Sequence, residues 1–197
     1  MAGRLIVSVS GIRDQTLSQL DDFSQQLAAR GVPLSLFVAP RLKHGYRLES
    51  DPTTTEWLRQ RRAGGDAVVV GSDSRLFAAP SWTTSSGTLI ALPRNGFRLL
   101  VGPYAMVDLV RGTSCQGRVI GIGAGFLTEP WWCRTVVLSA ERIARRGGTV
   151  RLAVSARQLG KPASRQAVLD AIDLALMHGC APGVYRWDAD PALAGAA

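Results

Sequence analysis

Short apolar runs that alternate with longer segments of helical period constrain this chain more than any other feature of its sequence. Residues 4–10 are rich in Leu, Ile and Val, and residues 16–30 follow with Leu17, Leu20, Phe23 and Leu27 at helical spacing. Gly31 suits a helix end because glycine reaches positive φ without penalty, and Val32-Pro33 then leads into a second apolar run at 34–39. The alternation predicts a helix over 53–62, a strand over 67–71, a helix over 85–93 and a strand over 97–101. A short helix over 104–111, a strand over 118–122, a long helix over 130–146, a strand over 150–155 and a helix over 164–178 come next, with a last strand over 184–187.

The long helix has the strongest boundary chemistry. Thr128 is placed to cap it, Glu129 favours the positive end of its dipole, Pro130 suits the first turn, and Gly147-Gly148 stops it. Seven near-continuously apolar strands separated by helices read as strands buried on both faces, hence a parallel sheet covered by helices. A closed or nearly closed barrel is expected in preference to an open sheet. At 197 residues one domain is expected, spanning 1–187, and the small, acidic, Ala-rich stretch 188–197 is expected to fray.

Several function classes lose support at once. No GxGxxG or GxxxxGK[ST] follows the first strand, so no dinucleotide or P-loop site is signalled, and the run from Gly121 to Gly125 has the wrong spacing for either. Cys115, Cys133 and Cys180 are odd in number and far apart, against both a disulfide framework and a CxxC zinc site. No apolar run has a membrane-spanning length, and the N-terminus has no leader pattern, so a cytoplasmic protein is expected. The formal charge of +8 is carried by arginine, since Lys43 and Lys161 are the only lysines. Arg59, Arg61 and Arg62, and then Arg142, Arg145 and Arg146, cluster at expected helix ends, where cations favour the C-terminal dipole. Charge alone speaks for nucleic acid as a partner, which is therefore not expected.

Five segments carry a resemblance. LIVSVSGI, LAARGVPLSLFVAP, RRAGGDAVVVGSDS, LFAAPSWTTSSGTLIALPRNGFRLL and VRLAVSARQL are similar, in order and arrangement, to the successive motifs of the polysaccharide deacetylase (NodB-homology) superfamily, most of all its short bacterial deacetylase-like branch. The resemblance covers roughly residues 4–187. It implies an α/β fold, a distorted TIM-like (β/α)7 barrel of parallel strands surrounded by helices, with its site at the C-terminal strand ends. It also implies hydrolysis of an acetyl group by a divalent metal held by an Asp and two His, with a further carboxylate as base and another His as acid.

Transferred position by position, the metal-binding set is lost. The acidic pair becomes Ser10 and Gly11, the His-Gly-Tyr element becomes Gly71, Ser72 and Asp73, and the final His becomes Ser155. Hydroxyls and a lone carboxylate supply too few strong donors for a catalytic zinc, so neither metal nor cofactor is expected. Of the two histidines, His178 sits at the end of the last helix, where it suits a capping role, and His44 lies in a loop on the expected mouth.

The ligand-binding residues expected around that mouth are Ser10, Arg13, Asp14, Ser72, Asp73, Trp82, Tyr104, Trp131 and Ser155. The expected role is non-catalytic binding of a glycan-like ligand or a protein partner. One alternative is a carbohydrate hydrolase using mouth carboxylates, with Asp14, Asp73, Glu129 and His44 as the candidate catalytic residues. The other is a polyanion or nucleic-acid binder driven by the arginines.

Overall fold

The computed structural model of the chain describes residues 3–41, 45–70, 75–79, 82–122 and 129–187. Thr128, the glycines at 123 and 125, and the tail 188–197 lie outside the described residues. The chain runs β1 (Arg4–Ser10), α1 (Leu17–Ala28), β2 (Leu34–Val38), α2 (Pro52–Ala63), β3 (Ala67–Val70), β4 (Leu76–Ala78), α3 (Ser86–Arg94) and β5 (Leu99–Val101). It continues through β6 (Ala105–Asp108), β7 (Ser114–Gln116), β8 (Val119–Ile122), α4 (Glu129–Arg145), β9 (Thr149–Ser155), α5 (Ala156–Leu159), α6 (Pro162–Met177) and β10 (Ala181–Gly183).

The main sheet is parallel, in the order β3-β2-β1-β9-β8, with β10 pairing the first half of β1 where β2 has not yet joined it. Strand order advances in one direction through β8, β9, β1, β2 and β3, so right-handed crossovers carry the helices to the same face. That face holds the larger core. Leu5, Val7 and Val9 of β1, Leu34, Leu36 and Val38 of β2, and Val150, Leu152 and Val154 of β9 meet Leu20, Phe23 and Leu27 of α1, Val136 and Ala140 of α4, and Ile172 of α6. Each large aliphatic or aromatic side chain buried there contributes about 1.5–3 kcal/mol. Among the described residues no helix is long and apolar enough to cross a membrane.

The opposite face is covered by a second sheet, β4-β5-β6-β7, parallel only between β4 and β5. The expectation of seven parallel strands closed into a barrel is therefore corrected: the fold is α/β, but the main sheet is not closed and two antiparallel pairings sit across from it. The helix expected over 104–111 is the β6–β7 hairpin. The Asp108 carboxylate accepts from the amides of Val110 and Arg111 at 2.8 and 2.9 Å, and Gly112 takes φ 67°, so the chain reverses where a helix would continue. The strand expected over 184–187 is displaced to β10, because the Tyr185 amide donates to Ser35 Oγ (2.9 Å) instead of to a strand.

The strands are also less uniformly apolar than their composition implies. In β1 and β9 the odd positions of β1 and the even positions of β9 face the helices, while Arg4, Ile6, Ser8, Ser10, Arg151, Ala153 and Ser155 face the second sheet. Arg151 is fully buried there. Its Nε donates to Tyr185 Oη (2.9 Å), one terminal nitrogen to the Gly117 carbonyl and the other to the Gly102 carbonyl (2.8 Å). Its guanidinium also lies over the Tyr185 ring, 5.3 Å from the centroid. No carboxylate pairs with it among the described residues. Neutral acceptors and a π face thus hold a buried charge and tie β9 to the loops flanking β5 and β8.

Removing this side chain takes the donor from the Gly102 and Gly117 carbonyls and the charged partner from Tyr185, and leaves a void. Arg151→Ala is expected to lose about 3–5 kcal/mol of unfolding free energy in urea titrations. Arg59→Ala, which breaks only the exposed Arg59–Glu56 pair, is expected to stay within about 0.5 kcal/mol of the parent.

Candidate functional site

The C-terminal ends of the parallel strands gather the first group of candidate residues. Register places Ser10 beside Ser155 on one side and Phe37 on the other. Ser155 is already employed: its Oγ accepts from the Gln158 amide (3.3 Å) and caps α5. Just beyond β1, the Arg13 amide donates to Thr16 Oγ1 (3.1 Å), and the Thr16 hydroxyl donates back to the Arg13 carbonyl (2.9 Å). This reciprocal pair fixes the short turn Asp14–Thr16 that opens α1. The Asp14 carboxylate is exposed.

Asp51, which the sequence reading missed, organises this region. It is buried, its Oδ1 accepts from the Thr54 amide (3.0 Å), and its Oδ2 accepts from the Tyr46 hydroxyl (2.8 Å) and the Asp14 amide (3.2 Å). Burial raises the Asp51 pKa, but the Thr54, Tyr46 and Asp14 donors outweigh it, and the net shift is downward. The same arrangement pushes Tyr46 up to about 12, through burial first and then its bond to the Asp51 carboxylate. The signal was present in the sequence as Asp51-Pro52, a capping Asp followed by a proline in the first turn.

Two aromatics stand out nearby. Trp82 packs edge-on against Phe37 with ring centroids 6.2 Å apart, and Phe37 in turn lies 5.6 Å from the Tyr185 ring. Trp82 adopts φ 61°, a left-handed conformation that costs a bulky L-residue about 1–3 kcal/mol. Trp131 lies in the first turn of α4, 56% exposed, beside Trp132, whose indole N–H donates to the Gly121 carbonyl (2.8 Å).

The remaining candidates do not join this group. Tyr104 is exposed on the turn between β5 and β6, and that turn is fastened to the start of β8: Gly117 N donates to the Tyr104 carbonyl and Val119 N to that of Pro103. That is the N-terminal end of β8, away from the expected mouth. His178 occupies the C-cap of α6, but the bond it makes is through its backbone amide to Leu174 (3.1 Å); its Nε2 is buried with no partner among the described residues. His44, Ser72 and Asp73 lie outside the described residues, as does the Glu129 side chain. Of the three carboxylates weighed as an acid–base set, only Asp14 can be placed.

Nothing in the described mouth fits the metal that the family resemblance implies. Ser10 supplies a hydroxyl, Gly11 no side chain, and the Ser155 hydroxyl is held as a cap. Among the described residues no three His, Cys, Asp or Glu side chains come together as a metal-binding set. The arginine clusters are largely structural as well. Arg61 pairs with the buried Asp66 at 2.7 Å and lies over Trp57, and Arg62, Arg142 and Arg145 fall in the last turns of α2 and α4.

A second concavity opens at the other end of β1, between the two sheets, with a volume of about 100 Å³. Arg4, Ile6, Met106, Asp108, Cys115 and Trp187 are among the residues that line it. Asp108 is held by the Arg111 guanidinium (3.1 Å) and by the Trp187 indole (3.3 Å). Burial raises its pKa, but the amides of Arg111 and Val110, the indole and the Arg111 charge outweigh this and shift it down.

The clip at Asp51 makes stability pH-dependent at both ends. A lowered carboxylate pKa stabilises the fold above the unfolded value of 3.8 and loses that contribution as pH falls through the folded value. A raised phenol pKa stabilises below 10.0 and loses its contribution as pH rises from there toward about 12. Asp51→Asn is expected to cost about 1–2 kcal/mol at neutral pH and to flatten the acid limb of the stability profile measured by urea unfolding from pH 7 to 3.

No family model matches this chain, and no curated protein is significantly similar to it.

Proposed function

We propose that this chain is a polysaccharide deacetylase-like protein that has lost hydrolysis and binds a glycan-like ligand at the C-terminal ends of its parallel strands. The observation that carries this is Trp82. A tryptophan held at φ 61° packs against Phe37, the β2 residue paired with Ser10, on the edge of the inner core, and still remains partly exposed. Strain of this kind persists where the surrounding structure over-determines it, and it clusters at ligand sites. An indole face in such a position matches the C–H face of a pyranose ring, while Ser10, Arg13 and Asp14 supply hydrogen-bonding groups around it.

The parallel main sheet with its helices on a common face is in keeping with the family resemblance, although the sheet is not closed. The substitution of metal-ligand positions by Ser10, Gly11 and Ser155 supports binding without acetyl hydrolysis.

Titration with N-acetylglucosamine oligomers, followed by tryptophan fluorescence and by two-dimensional NMR, is expected to show saturable binding that Trp82→Ala weakens about tenfold or more, equivalent to about 1.4 kcal/mol. Acetate release from the same oligomers is expected to stay at background with added zinc or cobalt. Metal-dependent acetate release would overturn the loss of catalysis. Binding that is indifferent to Trp82→Ala would overturn the site, and failure to bind any of these oligomers would overturn the ligand class.

A further inference from the structure

We infer that the cavity between the two sheets, at the opposite end of β1 from the mouth, is a binding site for a small organic anion, a carboxylate with a short apolar tail. Strand periodicity puts Arg4 and Ile6 of β1, Leu99 of β5, Met106 and Asp108 of β6, and Cys115 of β7 on the faces that look into this space, and Met106 is paired directly with Cys115. Tyr185 and Trp187 complete the apolar lining.

The charges in this space do not cancel. Asp108 is the acidic residue of the lining and is already satisfied by Arg111 and by the Trp187 indole. Arg98 covers the Trp187 ring at 5.8 Å, which adds positive potential behind the wall. Arg4 is half-buried and has neither an ion pair nor a side-chain hydrogen bond among the described residues. A half-desolvated guanidinium with a free donor fork, set at the edge of an apolar cavity, favours a planar carboxylate that it can engage through two N–H groups.

Size and polarity narrow the class further. A cavity of about 100 Å³ suits a ligand of a few heavy atoms. With Arg111 offset by Asp108, Arg4 and the exposed Arg186 leave the lining net positive, and Ile6, Leu99, Met106 and Val184 add apolar wall beside that charge, which favours an anion carrying a short apolar tail. Thr113, which also lines the cavity and shares the face of Cys115 by alternation, adds a hydroxyl at its rim.

Cys115 provides a built-in probe. It lines the cavity and is partly exposed, whereas Cys133 lies in the α4–α6 groove and serves as an internal reference. The rate of iodoacetamide alkylation at each cysteine, read by peptide mass spectrometry on the full chain, is measured with butyrate and with the isosteric neutral butyramide. Butyrate at about four times its dissociation constant is expected to slow Cys115 about fivefold by simple occupancy and to leave Cys133 unchanged. Butyramide is expected to have no such effect, and Arg4→Gln is expected to abolish the protection. Equal protection by butyramide, protection that survives Arg4→Gln, or no saturable protection by butyrate overturns the inference. Trp82→Ala is expected to leave the protection intact, so this result stands apart from that of the glycan titration.

Discussion

The guanidinium of Arg151 is the constraint on which the inner half of this structure depends. A charged group buried without a carboxylate is tolerated only if its donors are filled, and here a phenol and two backbone carbonyls fill them while an aromatic ring faces the charge. Those partners come from β10's continuation and from the loops at residues 102 and 117, so one side chain fixes the spacing between the main sheet and the smaller one. Tyr185 is in turn anchored through its amide to Ser35 and through its ring to Phe37. The inner layer is therefore a hydrogen-bonded polar network set within an apolar shell, and its geometry is more specific than close packing alone would make it.

From that layer the two ends of β1 diverge in chemistry. At the C-terminal end, polar groups are consumed by structure: Ser155 caps α5, Thr16 closes the turn before α1, and Asp51 gathers Tyr46, Thr54 and the Asp14 amide. Among the described residues, the aromatic face of Trp82, the Ser10 hydroxyl and the exposed Asp14 carboxylate are also found there. At the N-terminal end a cation is left over against apolar walls. The two ends offer unlike surfaces because strand alternation gives the inner face Arg4 and Ile6 at one end and Ser10 at the other.

Much of the organisation was legible from residue order. The bounds of β1 and the positions of α1, α2, α4, α6 and β9 follow from apolar period and from Gly31 and Gly147-Gly148, because burial against a sheet and the need for positive φ at helix ends are local demands. The β6–β7 hairpin was not legible. Tyr104, Met106, Val107 and Val110 are compatible with a helical stripe, and only the Asp108 side chain capturing two amides decides for a reversal. Asp51 was legible in principle through the Asp-Pro pair, but its grip on Tyr46 and Asp14 joins segments 5 and 37 residues away and depends on how the loops fold over the strand ends.

The sequence by itself determined the α/β class and the parallel pairing of its longest strands, since both follow from the alternation of apolar strands with helical periodicity; the common face of the helices followed only from the strand order. Tertiary structure alone decided that the sheet stays open and that a mixed sheet covers its inner face. It also decided that Arg151 is a buried tie and that Arg4 is a cation without an ion pair among the described residues, although both are arginines within apolar strands. The physical reason is that burial and charge pairing are properties of what lies across a space, and nothing in the spacing of residues along a strand specifies which atoms a distant segment will bring to face them.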